Sequence, residues 1–204
     1  GEFALDACTT GSNNVAVGYN ALSTSTTAGT NTAVGYQAMY VNTSGDNCAA
    51  FGGGALDANT SGNANTAIGR LSLTSNTTGI QNTAVGMSSM YTNTTGGDNT
   101  AVGRQALYFN TQGGNHVAIG RNALLNNTTS DNNTAVGMNA MEANTTGSEN
   151  VAVGRLALTA NTTAASNTAI GHAALESNTT GAENTAVGRW ALASNTTASE
   201  NTAV

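Results

Sequence analysis

The chain is poor in the residues on which most enzymes depend. It contains no proline and no lysine, and only 8% of its residues are charged and 4% aromatic, which is unlike an ordinary globular enzyme. The two histidines, His116 and His172, lie 56 positions apart, and the two cysteines, Cys8 and Cys48, lie 40 apart. Neither spacing fits a metal site or a catalytic pair. We therefore expect a protein that is not an enzyme and that uses no cofactor and no metal.

Long apolar runs and basic clusters are also missing. No stretch approaches the roughly 18 apolar residues of a membrane span, so we expect no membrane insertion of this segment. The formal net charge is −6, and the five arginines are spread along the chain. Nucleic acid is not an expected partner either, because proteins bind its phosphates through clustered positive charge.

What the sequence has instead is one motif, close to N-T-A-V-G, repeated every 17 residues without insertion or deletion. Residues 1–204 therefore form a single repeat array of twelve units, which is the pattern of a solenoid. The chain does not begin with methionine, ends within a motif and shows no polar capping repeat, so we interpret it as a fragment of a longer fibre protein. The motif glycines are Gly18, Gly35, Gly52, Gly69, Gly86, Gly103, Gly120, Gly137, Gly154, Gly171 and Gly188.

The three residues before each motif glycine predict a short β-strand. The first is usually Thr or Val, the second is always Ala and the third is always a large apolar residue, which is the alternation of a strand. Four residues after the glycine stands Leu or Met without exception. We assign the third strand residue and this Leu/Met residue to the core of the coil, for example Val102, Leu107, Ile119 and Leu124.

The invariant alanine column favours an oligomer. A column that faced solvent would drift toward polar residues, whereas alanine in every repeat indicates the close approach of another chain. We therefore predict that Ala101, Ala118 and Ala135 line a contact between chains. The alternative is a thin monomeric solenoid in which both faces of the strand are internal.

Two asparagine columns complete the unit. One lies seven residues after the motif glycine, as at Asn93, and the other thirteen residues after it, as at Asn99. Stacked coils place equivalent side chains about 4.8 Å apart, so their amides are predicted to hydrogen-bond along ladders. Cys8, Cys48 and His116 each replace a ladder asparagine. The two cysteines are separated by too many coils for a disulfide.

Arginines and aromatic residues occupy separate positions on the outside of the predicted coil. Every arginine directly follows a motif glycine, and most aromatic residues lie near that glycine or near the Leu/Met residue. They are the candidates for contact with a host-surface glycan or protein receptor, if the segment binds one; the alternative is that they only cover neighbouring chains. The candidates are Tyr36, Tyr40, Tyr91, Tyr108, Arg104, Arg121 and Trp190.

The strand motif resembles a repeat of known surface proteins. N-V-A-V-G at residues 150–154 and H-V-A-I-G at residues 116–120 are similar to the S-V-A-I-G repeat in the heads of trimeric autotransporter adhesins. The full unit also resembles arrays in phage-tail-fibre-like bacterial adhesive trimer proteins, many of which end in a chaperone-of-endosialidase domain. The resemblance implies an all-β parallel β-solenoid, or β-roll, with three chains side by side in a trimeric fibre. The adhesin repeats are usually shorter, so this coil is expected to carry a longer outer turn.

Residues and resemblance together favour a non-catalytic structural and adhesive segment of a homotrimeric fibre, outside the cell on a cell or virion surface. Two other functions stay open. One is ice binding through ladders of threonine, against which the lack of a continuous T-x-T pattern on one strand face counts. The other is a purely structural spacer that binds nothing.

Overall fold

The computed structural model describes all 204 residues, and they form one parallel β-solenoid. Twelve short strands, one for each repeat, pair in sequential order into a single twelve-stranded sheet. Each pairs with the equivalent residues 17 positions away, as Ala101 does with Ala118. The predicted all-β parallel solenoid is therefore confirmed. The strands are β1 (Val15–Val17), β2 (Thr32–Val34), β3 (Ala49–Phe51), β4 (Thr66–Ile68), β5 (Thr83–Val85), β6 (Thr100–Val102), β7 (Val117–Ile119), β8 (Thr134–Val136), β9 (Val151–Val153), β10 (Thr168–Ile170), β11 (Thr185–Val187) and β12 (Thr202–Ala203).

The coils are also joined outside the strands. Of the 132 backbone hydrogen bonds, 22 belong to the strands and 110 to the turns and connections. For example, the N–H of Leu107 donates to the carbonyl of Ala123 at 2.9 Å, and the N–H of Thr111 donates to that of Thr128 at 2.9 Å. Because each coil is bonded to the next all around its circumference, stability is expected to propagate from neighbour to neighbour, as in other repeat proteins.

The motif glycine forms the corner that follows each strand. Its φ lies in the positive range in every coil, and at Gly103 it is 136°. A β-carbon added to Gly103 would lie 2.5 Å from the carbonyl oxygen of Gly120 in the next coil. Glycine is therefore needed both for the dihedral angle and for the close stacking of coils.

Three further positions of each coil are left-handed, and all of them except Gly54 carry a side chain. These positions come two, four and twelve residues after the glycine, as at Gln105 (φ 57°), Leu107 (φ 52°) and Asn115 (φ 59°). This conformation costs an L residue about 1–2 kcal/mol. At position four the cost is offset by burial of the Leu or Met side chain, which is anchored on a tight turn.

The interior of the coil is narrow, with one large side chain opposite small ones. Leu107 and Leu124 are fully buried, as predicted, and the strand alanine Ala118 is buried in the same cluster. Val102, however, is only partly buried, and Ile119 is 39% exposed. The assignment of Val102 and Ile119 to the core is therefore wrong. A 17-residue coil that already holds a Leu or Met has room only for alanine on the opposite strand.

The predicted role of the alanine column is corrected by the same observation. Ala101, Ala118 and Ala135 each have 0% exposure within the single chain. They contact the inside of their own coil, so they are out of reach of a neighbouring chain. The alanine column is explained by the narrow interior and does not require a partner.

Candidate functional site

The outward side chains of the strands form one continuous stripe along the solenoid. We name the first and third residues of the twelve strand motifs, from Val15 and Val17 to Thr202 and Val204, the Thr/Val stripe. All of its positions hold Thr, Val, Ile, Ala or Phe, without any charged or amide side chain. Val17 is 55% exposed and Ile68 is 42% exposed. The apolar third positions give the stripe a continuous, partly exposed apolar row, and a long apolar row on a surface marks a site of interaction.

The first asparagine column forms a side-chain ladder inside the coil, as predicted. The Nδ2 of Asn93 donates to the Oδ1 of Asn76 at 2.9 Å and to the carbonyl of Gly96 at 3.0 Å. Its Oδ1 accepts from the Nδ2 of Asn110 at 2.8 Å. Because all these side chains are fully buried, the ladder supplies partners for polar groups that have no access to water.

The second asparagine column ties side chain to backbone. The Nδ2 of Asn82 donates to the carbonyl of Gly96 at 2.9 Å, and its Oδ1 accepts the backbone N–H of Asn99 at 3.2 Å. The Gly96 carbonyl therefore accepts hydrogen bonds from both asparagine columns. The two columns together clamp the outer turn to the body of the coil.

His116 occupies an asparagine position in the second column and reproduces its hydrogen bonds. Its Nδ1 accepts the backbone N–H of Asn133 at 3.2 Å, and its Nε2 lies 2.7 Å from the carbonyl of Ser130. This pattern fits a neutral ring with the proton on Nε2. Burial lowers the pKa of His116 below its usual range. The residue is thus a structural substitute for asparagine.

The two cysteines are both free thiols. Cys48 lies in the second asparagine column, where its backbone N–H donates to the Oδ1 of Asn31 at 2.8 Å. Burial raises the pKa of the Cys48 thiol. No group of three or more His, Cys, Asp or Glu side chains is arranged to hold a metal ion.

The predicted surface contacts lie in several separate patches. The rings of Tyr91 and Tyr108 are stacked at 5.1 Å between centroids, whereas Trp190 lies far along the chain and carries the Arg189 guanidinium 4.0 Å from its ring centre. Tyr36, with 58% exposure, belongs to a third patch near the start of the array. The remaining candidates are the exposed Arg104 and Arg121, which follow the glycines of consecutive coils, and the half-buried Tyr40.

Comparisons with family models, curated proteins and solved structures find no match to this chain. The structure contains no helix with the length and apolar character needed to cross a membrane.

A notch beside Tyr36 is the cavity on this surface that charged residues line, and sequence reasoning missed it. One carboxylate oxygen of Asp57, Oδ1, is buried there without a hydrogen-bond partner, and burial raises the pKa of that carboxyl. The available signal was the run Gly52-Gly53-Gly54, because no other coil has glycine at both positions after the motif glycine. The notch is lined by Tyr36, Gln37, Gly53, Gly54, Asp57, Arg70 and Leu71.

A second depression is a shallow open groove in the middle of the array. It contains no charged residue, and four of its seven lining residues are threonines, three of which lie eight residues after a motif glycine. These threonines are already engaged, since the Oγ1 of Thr111 donates to the carbonyl of Thr128 at 3.1 Å. The groove therefore offers a ligand few free polar groups.

Proposed function

We propose that this chain is a non-catalytic structural and adhesive segment of a homotrimeric fibre on a cell or virion surface. Three solenoids would lie side by side with their axes parallel. The observation that supports this assembly is the Thr/Val stripe, which stays uncharged through every repeat while its side chains remain exposed or partly exposed on the single chain. In this assembly the stripe, and not the buried alanine column, forms the contact between chains.

The dimensions of the stripe agree with lateral contact along a fibre. Twelve coils at about 4.8 Å each give a length of roughly 55–60 Å. Three strand residues at about 3.3 Å each give the stripe a width of about 10 Å, so it offers on the order of 550 Å² per chain. In a trimer this area is divided between two neighbours, which is below the size of a standard interface. Neighbouring columns must add to the contact, and additional repeats would strengthen it in proportion to their number.

The assembly is tested by light scattering on the wild type and on two stripe variants. The wild type is expected at about three times the chain mass of 20.2 kDa. Ile119→Glu and Val136→Glu should lower the mass to that of one chain while the circular dichroism spectrum stays unchanged, because a charge on the stripe opposes burial. Thr129→Glu, on the exposed outer turn, is the matched control. A folded wild-type monomer at micromolar concentration would refute the trimer.

Ice binding is the second candidate, and the row of threonines at the first stripe positions favours it. Eight of the twelve first stripe positions are threonine, and each strand repeats at the regular spacing of a parallel sheet. The third positions carry Val, Ile or Phe, so the array is T-x-V rather than T-x-T, and this difference counts against ice binding. Measured thermal hysteresis that disappears in Thr100→Glu would support this function. A trimer that buries the stripe and shows no hysteresis would exclude it and leave either the adhesive segment or the simple spacer.

A further inference from the structure

The notch arises from a missing side chain in an otherwise continuous column. The residues directly after the motif glycine stack in the order Tyr19, Tyr36, Gly53 and Arg70. The rings of Tyr19 and Tyr36 lie 5.7 Å apart with 9° between their planes, so Tyr19 covers one face of Tyr36. A β-carbon added to Gly53 would meet nothing closer than the Tyr36 carbonyl oxygen at 3.8 Å. The second face of Tyr36 therefore adjoins an empty position in the column.

The opposite wall of the notch is formed one coil beyond the missing side chain. Arg70 stands two coils from Tyr36, which corresponds to about 9.6 Å of stacking. Leu71 closes the same side, since its Cδ2 lies 2.8 Å from where a β-carbon of Gly54 would be. The notch is therefore wide enough for one ring between the Tyr36 ring and the Arg70 side chain.

The remaining lining is polar and incompletely paired. The buried Oδ1 of Asp57 has no donor within the protein, although buried polar atoms normally have one. The Gln37 amide offers both donors and an acceptor, and Arg70 offers donors only. The notch thus combines one aromatic face with groups that bind hydroxyls as donor and as acceptor.

We propose that this notch binds one pyranose unit of a saccharide. The C–H face of the sugar would pack on Tyr36, and the hydroxyl groups at its rim would reach Gln37, Arg70 and the more accessible carboxylate oxygen of Asp57, Oδ2. A few placed polar groups beside an apolar face are the usual means of orienting a small ligand. A planar aromatic ligand would also fit the width but would offer fewer hydroxyls to the unpaired Asp57 carboxylate. The site lies around the glycine corner from the Thr/Val stripe and does not depend on the proposed trimer.

The test is saturation-transfer NMR on the whole chain with three probes: methyl β-D-glucopyranoside, methyl β-D-galactopyranoside and methyl α-D-mannopyranoside. At least one probe should receive saturation at its ring protons, with a dissociation constant on the order of millimolar. Gly53→Arg should abolish the signal, because it restores the residue that other coils carry at this position and fills the notch. Tyr36→Leu and Asp57→Asn should each weaken binding at least about tenfold, which corresponds to the loss of one good contact.

Met87→Arg is the matched control, since it places the same residue in the same column of a coil without a notch. It should bind the probe like the wild type. Thermal unfolding and light scattering of every variant separate a loss of binding from a loss of fold or assembly. The proposal is overturned if no probe binds the wild type, if Gly53→Arg binds as the wild type does, or if L-tryptophan binds in the notch and the sugars do not.

Discussion

Replacing one buried rung of the first asparagine ladder should destabilise the solenoid far more than the same change on its surface. Asn93→Leu keeps a similar side-chain volume but removes three hydrogen bonds, to Asn76, to Gly96 and from Asn110. The Gly96 carbonyl keeps its bond from Asn82, and the Asn110 amide keeps its bond to Gly113. The Oδ1 of Asn76 loses the partner it has in the wild type.

The free-energy cost follows from these partners. An orphaned buried acceptor costs about 1–3 kcal/mol, and each lost bond whose partner stays satisfied costs about 0.5–1.5 kcal/mol. Burial of the leucine offsets part of this loss, so we expect the free energy of unfolding to fall by about 2–4 kcal/mol. For a chain of this size the fall corresponds to a decrease in Tm of roughly 5–15 °C.

Urea unfolding followed by circular dichroism measures the effect, and hydrogen exchange shows whether it spreads to neighbouring coils. Asn126→Leu is the matched control, because Asn126 lies on the outer groove. We expect that control within about 0.5 kcal/mol of the wild type. If Asn93→Leu were equally mild, the ladder would contribute nothing beyond filling space, and this account of the interior would fail.

Two further predictions concern the core and pH. Leu107→Asp should unfold several coils, because aspartate tolerates the left-handed backbone but places an unpaired charge in the interior. Ser148→Asp should leave the stability nearly unchanged, since aspartate at the equivalent Asp131 accepts a backbone N–H from the preceding coil. Circular dichroism melts would show both, and similar losses at the two positions would contradict the core assignment. The lowered pKa of His116 means that the folded state prefers the neutral ring, so stability is complete above the unfolded pKa of about 6.5 and is lost as the pH falls below it. Between pH 7.5 and pH 5.5 the free energy of unfolding should fall, by up to about 1.4 kcal/mol per pH unit below the unfolded pKa. The fall should be smaller in His116→Asn. An equal fall in both proteins would show that other groups cause it.

The features predicted correctly from the sequence are those that the backbone enforces in every coil. The spacing of the glycines gave the repeat length, and their role as left-handed corners follows from the lack of a side chain, as at Gly103. Amides stacked in register have few partners other than each other, so the ladder through Asn93 could be inferred before its geometry was known. These features depend on stacking alone.

The orientation of the strand could not be obtained in the same way. Alternation shows that Ala118 and Ile119 face opposite sides, but it does not say which side is internal. The larger residue was assigned to the inside because burying it stabilises more. In the structure the left-handed Leu107 and Leu124 leave room only for alanine, so the larger strand residue lies outside. Nothing in the residue types indicates that a leucine will adopt the left-handed conformation.

The notch was not predictable, because it depends on three coils at once. Gly53 is informative only when Tyr36 and Arg70 are known to stand on either side of it in one column. The predicted contacts included Tyr36, but no role was predicted for Asp57. Its buried, unpaired oxygen becomes visible only when the coils are stacked.

The uniform register of the sheet also makes length a separable property of the molecule. Because every strand pairs with equivalents 17 residues away, removing or duplicating one whole unit joins two edges that already fit each other. The reach of the rod can then change in increments of about 4.8 Å while its cross-section and stripe stay the same. Unequal recombination between repeats of the gene would therefore produce longer and shorter rods, each able to fold without any compensating substitution.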